Sequence, residues 1–178
     1  MKAISPHFKQ RNRTGAVAVE FAVVLAVLMP FLLGVWEVGR YVNVKQQVIN
    51  ASREGARQAS TGEMTKAEVK QFVLNYLKTA GLEQISTLAA DETEVQDGGK
   101  VYIEVNVYDE EGTPLPTVDT SEAIQNYKIE VRVVFLYSDV EISPTNYFLA
   151  PDTTLSSSVY WTCMRDIELK VNDQIPLD

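Results

Sequence analysis

Glu20 stands inside an apolar run, and every residue from Phe21 to Trp36 after it is uncharged. A carboxylate at membrane depth costs about 2.5–3.5 kcal/mol on insertion scales and tends to be functional where it survives. The small-residue step Gly15-Ala16 lies just before it, and glycine lets another molecule approach an extended backbone closely. Elsewhere the means for chemistry are sparse. His7 is the single histidine, so His-dependent triads and His-ligated zinc sites are excluded from the rest of the chain. Cys163 is the single cysteine, so no disulfide forms within the chain. It ends the alternating set Leu155, Ser157, Val159, Trp161, Cys163 and reads as a small buried hydrophobe. No GxSxG, Walker A, GxGxxG or HExxH pattern occurs. Nothing singles out a carboxylate pair. No catalytic residue, metal ligand or cofactor is therefore assigned, and the chain is not read as an enzyme.

The element that must position Glu20 is a membrane helix. The 16 residues from Phe21 to Trp36 span about 24 Å as a helix, short of the ~30 Å hydrocarbon core. Adding Ala16 to Glu20 gives 21 residues and about 31 Å, which fits. Glu20 then lies at or inside one boundary of the bilayer. Lys2, Lys9, Arg11 and Arg13 give the first 15 residues four positive charges and no acid, whereas the remaining 163 residues hold 12 basic and 24 acidic side chains. The basic flank belongs in the cytoplasm, with the chain after Arg40 outside. A secretory signal peptide shares the basic start, but the apolar run exceeds its usual ~7–15 residues, and Val35 to Tyr41 offers no A-x-A-like cleavage site. The acidic remainder is a poor match for nucleic-acid phosphates.

Tyr41, Val44, Val48, Ala51 and Gly55 continue at spacings of three and four, with Gln46, Asn50, Arg53 and Arg57 on the opposite, wet side. One helix is predicted from about Ala16 to Ser60, stopped near Gly62 and bent in the membrane by Pro30 and Gly34. Its stripe narrows to Ala51, Gly55 and Ala59, which would let another element approach the backbone. Trp36 and Tyr41 fit an interfacial aromatic belt. Glu37 and Arg40 are spaced for an i,i+3 pair. Arg53, Glu54 and Arg57 read either as a partner-docking patch or as a solvated face with one local pair.

At 178 residues with 46% apolar content, the chain can bury about one domain's core. Thr65 to Glu68 is a capping box followed by Val69, Phe72, Val73, Tyr76, Leu77 and Ala80 at helical spacing, closed by Gly81. Strict alternation over Val101–Tyr108, Ile129–Phe135 and Leu155–Cys163 predicts three half-buried antiparallel strands. Helices first and strands after argue an α+β domain. Between the first two strands, the connection 109–126 carries Asp109, Glu110, Glu111, Asp119 and Glu122. It reads as a solvated acidic loop rather than a cation site, which would need converging oxygens. Asp91 to Gln96 departs from the EF-hand pattern at Val95.

The assembled residues resemble a known family. Arg13-Thr14-Gly15-Ala16-Val17-Ala18-Val19-Glu20-Phe21 is similar to the cleavage region of type IV prepilins and pseudopilins. It most resembles the TadE-like family of tight-adherence (Flp) pilus assembly proteins. Val35-Trp36-Glu37-Val38-Gly39-Arg40 resembles the family's apolar-Glu-x-Gly-Arg step. Asn50-Ala51-Ser52-Arg53-Glu54-Gly55-Ala56-Arg57 resembles its Arg-Glu-Gly-Ala-Arg signature. The resemblance covers roughly residues 11–60, and the sister TadF-like proteins share much of it.

The resemblance implies a leader (1–15), a transmembrane helix (16–38), a helix extension (39–60) and an extracytoplasmic α+β domain (61–178). A prepilin peptidase would cut between Gly15 and Ala16. Glu20, at mature position five, would then meet the N-terminal amine of a subunit or partner. A Glu20 snorkelling at the membrane edge is the alternative. The implied partners are that peptidase, other pilins or pseudopilins, and the pilus secretion machinery. The implied location is the inner membrane, single-pass, with possible entry into the pilus. An uncleaved, signal-anchored periplasmic binding module is the alternative function, and a membrane-tethered carboxylate hydrolase a more distant one.

Overall fold

The apolar run and the stripe beyond it form one α-helix, α1 (Thr14–Ser60), which continues through Pro30. The computed structural model describes residues 14–140, 150 and 152–164. The expected leader up to Arg13, with Lys2, His7, Lys9 and Arg11, lies outside the described residues, as does Arg165. Two units divide the chain, Met1–Gly39 and Arg40–Asp178. The first contributes the apolar part of α1. The second contains the rest of α1, then α2 (Lys66–Thr79), β1 (Thr87–Leu88), β2 (Lys100–Tyr108), β3 (Lys128–Leu136) and β4 (Thr154–Thr162).

Local chemistry sets the ends of the helices. After Ser60 the chain turns through Gly62 at φ 72°, a left-handed conformation that glycine adopts without a Cβ penalty. The Ser60 carbonyl, past the reach of intrahelical donors, accepts the Met164 amide at 2.9 Å. At the start of α2 the capping box forms as expected. The Glu68 amide donates to Thr65 Oγ1 at 3.3 Å, and the Thr65 amide donates to Glu68 Oε2 at 2.8 Å. Asp119 Oδ1 accepts the Lys66 amide at 3.0 Å, so a carboxylate also sits at the positive end of that helix.

The strand order is β1-β2-β3-β4. β2 pairs antiparallel with β3 (Val105↔Val131), and β3 with β4 (Val131↔Val159). Val101, Ile103, Val105 and Val107 turn one face of β2 inward to join Ile129, Val131, Val133, Phe135 and Leu155 in a core with Val69, Val73 and Leu77 of α2. The domain is α+β, with one addition to the expected antiparallel sheet. β1 pairs parallel with β2 (Thr87↔Lys100, Leu88↔Val101), which makes the sheet mixed. Cys163 is buried, its Sγ 3.5 Å from the Ser60 carbonyl.

The acidic connection is folded down rather than free. Asp109 Oδ1 accepts the Thr113 amide at 2.7 Å, closing a turn that passes Gly112 at φ 88°. The Leu115 amide donates to the Val107 carbonyl at 2.7 Å. Asp119 caps the 3-10 turn Thr120–Glu122, and Thr120 Oγ1 donates to the Met64 carbonyl at 2.6 Å. Two of its five acids are thus engaged by backbone amides.

Glu130 belongs to the alternating polar set of β3 yet is only 7% exposed. Its carboxylate accepts from Ser158 Oγ, from Tyr108 Oη at 2.6 Å and from Asn106 Nδ2 at 3.4 Å. Burial pushes its pKa up, but the donors Ser158, Tyr108, Tyr160 and Asn106 together outweigh burial and hold it below the usual value. The same bond, with burial, pushes Tyr108 up to about 12. A depressed carboxylate contributes stability that is full above the unfolded pKa of ~4.3 and lost as pH falls through the folded value. Glu130→Gln should therefore lower stability at pH 7 by about 1–3 kcal/mol and flatten its decline below pH ~5. Denaturant melts of the full chain across that range check both effects.

Candidate functional site: helix α1

In the first unit α1 presents its large apolar side chains outward. From Val17 to Val38 the large apolar residues are exposed, among them Phe21, Val27 and Phe31, and the helix is long and apolar enough to cross a membrane. Glu20 is exposed within this surface. Ala16 lies one turn before it on the same face, and helical side chains lean towards the N-terminus, so the Glu20 carboxylate leans towards the turn that Ala16 occupies. Gly15 is the second residue of α1, and a Cβ built there meets nothing within 4 Å. Gly39 is equally open. Glu37 is 2% exposed, and its Oε1 has no hydrogen-bond partner among the described residues.

In the second unit the same helix is a packed element. Arg40 Nη2 donates to the Val140 carbonyl at 2.8 Å, so its anchor is backbone rather than the neighbouring carboxylate expected from spacing. Tyr41 meets Tyr137 edge-on at 5.4 Å between ring centroids, which occupies one of the two aromatics expected in an interfacial belt. Trp36 remains exposed. Val44, Val48, Ala51, Ser52, Ala56 and Ala59 are buried, and Ser52 Oγ donates back to the Val48 carbonyl at 3.0 Å.

Gly55 shows why the stripe is small. A Cβ at this position would come within 2.4 Å of Val73 Cγ2 and 3.5 Å of Val131 Cγ1, so α2 and β3 approach the helix backbone directly. Val73 is β-branched and stiff at χ1 in a helix, so it cannot swing aside cheaply. Gly55→Val should cost about 1–3 kcal/mol by overpacking. Adding Val73→Ala should return part of the loss, whereas Gly39→Ala should be neutral or mildly stabilising. Thermal unfolding of the full-length variants in detergent checks the contrast.

The wet face of this segment carries Gln46, Asn50, Arg53 and Arg57, all exposed. Arg57 donates to Glu54 through Nη2 at 2.6 Å and Nε at 3.0 Å. That hydrogen bond holds the Glu54 carboxyl below its ordinary value, against a smaller upward push from burial. Arg53 has no hydrogen-bond or ion-pair partner among the described residues. Asn50, Arg53, Glu54 and Arg57 line a depression of 310 Å³ together with Tyr76 of α2 and Trp161 of β4. A second depression, lined by Gln46, Ile49, Asn50 and Arg53, continues it along α1. The patch residues are therefore brought together, and two aromatics join them. Spacing places both on apolar faces, and only the tertiary fold brings them to the same depression as Arg53.

Residues 15–57 match the protein family described as TadE-like protein. The matched stretch is helix α1 from Gly15 to Arg57, and it includes the Gly15-Ala16 step, Glu20, Glu37, Gly39, Arg40 and the Arg53-Glu54-Gly55-Ala56-Arg57 signature. The same helix is the one candidate membrane span among the described residues. No curated protein and no solved structure matches the chain.

Proposed function

We propose that this chain, whose α1 carries the TadE-like sequence, is a minor pilin- or pseudopilin-like protein that acts in assembly or initiation of an Flp-type adhesive pilus. A prepilin peptidase on the cytoplasmic side removes residues 1–15, and the mature chain begins with the amine of Ala16. Residues 16–38 anchor it in the inner membrane, residues 39–60 extend that helix, and residues 61–178 stand outside the cytoplasm. Glu20 then offers its carboxylate to the ammonium of Ala16 in a neighbouring subunit. In a low-dielectric surrounding the two charges attract strongly, and pairing offsets much of their desolvation. The protein works by helix packing, not catalysis.

The observation that carries this reading is the contrast between two glycines of one helix. Gly55 is needed by the fold, because α2 and β3 press against it. Among the described residues, a Cβ at Gly15 meets nothing within 4 Å, and glycine in a helix costs roughly 0.5–1 kcal/mol relative to alanine. A reader outside the chain, such as a peptidase, accounts for an open glycine set five residues before a membrane-depth carboxylate, a setting that the equally open Gly39 lacks. Gly15 is helical in the structure, so cutting would require the first turn of α1 to open. The alternative of a ligand-binding module is less well supported, since Asp109 and Asp119 of the acidic connection already accept backbone amides.

The functional test is a deletion strain complemented with the full chain. Surface pili and adhesion should vanish on deletion and return with the gene. Unchanged piliation in the deletion strain would remove the assembly role. For topology, an enzyme reporter active only outside the cytoplasm, fused after Asp178, should be active, while a cytoplasm-only reporter at that point should stay dark.

A further inference from the structure

β4 is the outer strand of the sheet, and among the described residues nothing pairs with its second edge. The ladder shows which groups stand there. The Cys163 amide donates to the Tyr127 carbonyl and the Tyr137 amide to the Thr153 carbonyl, just beyond either end of the unbroken β3–β4 register. Bonded and non-bonded pairs alternate in an antiparallel ladder, so Leu155, Ser157, Val159 and Trp161 bond to β3. Thr154, Ser156, Ser158, Tyr160 and Thr162 therefore aim their N–H and C=O groups at the free edge. Sheet edges are normally kept from pairing by shortness, charge, proline or bulges. β1, at the opposite edge, has only two residues. β4 has nine, TLSSSVYWT, with no charge, proline or glycine among them. Such an edge suits a covering strand.

The direction of β4 selects the strand. Tyr137, bonded to Thr153, packs on Tyr41, whereas the Ser60 carbonyl accepts the Met164 amide. β4 and residues 41–60 of α1 thus run the same way. Pairing with the β4 of a second copy about a two-fold axis would set the two α1 helices antiparallel. Two copies anchored in one membrane cannot adopt that arrangement, an exclusion that rests on the proposed anchoring. The chain itself supplies another candidate. After Met164, outside the described residues, the sequence alternates Ile167, Leu169 and Val171 with Asp166, Glu168, Lys170 and Asn172. That is the pattern of a half-buried strand, and a segment returning from the end of β4 meets its free edge antiparallel.

We propose that residues 166–172 cover the free edge of β4 as an antiparallel strand of the same chain. Ile167, Leu169 and Val171 then lie beside Trp161, Val159 and Ser157, on the face that Leu155 turns to the core. Asp166, Glu168, Lys170 and Asn172 exchange backbone hydrogen bonds with Thr162, Tyr160, Ser158 and Ser156. Cys163, Met164 and Arg165 form the connection, a length that hairpins commonly use.

The test is amide hydrogen exchange of the full-length chain in detergent, read residue by residue along β4. Ser156, Ser158 and Tyr160 should be protected, as Ser157 and Val159 are by β3. Lys170→Pro removes a donor to this edge, and Leu169→Asp removes an apolar contact. Each should speed exchange at Ser156, Ser158 and Tyr160 at least about tenfold. Ser157 and Val159 should stay within about threefold of the parent, which a general loss of folding would not allow. The readout involves neither cutting nor pili, so its failure leaves the pilus role standing. The proposal is overturned if Ser156, Ser158 and Tyr160 exchange freely in the parent chain, or if either variant leaves them as protected as before. It is also overturned if their protection rises with protein concentration or needs another protein, since the edge then belongs to a second chain.

Discussion

Glu20→Val should insert and be processed normally yet fail to support pili. Removing a charge from an apolar segment helps insertion, because a central carboxylate costs about 2.5–3.5 kcal/mol. Among the described residues Glu20 has no hydrogen-bond or ion-pair partner, and its neighbours on α1 are exposed apolar side chains. What the variant lacks is a partner for the Ala16 ammonium once helices pack side by side. An unpaired charge buried among helices costs roughly 3–5 kcal/mol. At 1.4 kcal/mol per tenfold, that weakens association by two to three orders of magnitude. Glu20→Asp should fall between, since its shorter arm reaches less far. Pili counted beside the processed fraction give the result, and normal piliation by fully processed Glu20→Val would make the residue a membrane-edge carboxylate only.

Gly15→Val should abolish cutting while leaving the fold intact. A side chain at this position meets open space, and valine is a better helix former than glycine by a few tenths of a kcal/mol. Loss of cutting could not then be blamed on misfolding. The added branched bulk acts on the peptidase, which must draw the backbone in closely. In peptidase-positive cells the processed fraction should fall from nearly all to nearly none. An unchanged melting temperature in detergent would confirm that the folded domain is untouched. Efficient cutting of this variant would remove Gly15 from the recognition step.

The parts of the fold legible in the sequence are those where periodicity and caps agree. The three alternating runs became β2, β3 and β4, and the Thr65–Glu68 box began α2 at Lys66. β1 was not legible, because two residues in parallel pairing leave no periodic trace. The Asp91 stretch failed as a calcium loop, and its role proved local: Asp91 Oδ1 accepts the Thr93 and Glu94 amides at the start of a 3-10 turn. The burial of Glu130 depends on register, which sets it between Asn106 and Tyr160. Alternation alone could only place it on the polar face.

The candidate site divides in the same way. The small residues of α1 announced a close approach, but naming Val73 and Val131 as the approaching side chains required the tertiary fold. Arg53 and Arg57 were visible as charges. Their junction with Tyr76 and Trp161 was not, since those residues come from elements distant in sequence.

The central claim is that residues 1–15 are a leader read by a prepilin peptidase. The most direct measurement is the intact mass and N-terminal sequence of the protein purified from membranes, with and without that peptidase. The account predicts a chain beginning at Ala16 when the peptidase is present and an uncut chain beginning at Met1 when it is absent. Met1, or a start well beyond Ala16, in peptidase-positive membranes would contradict it.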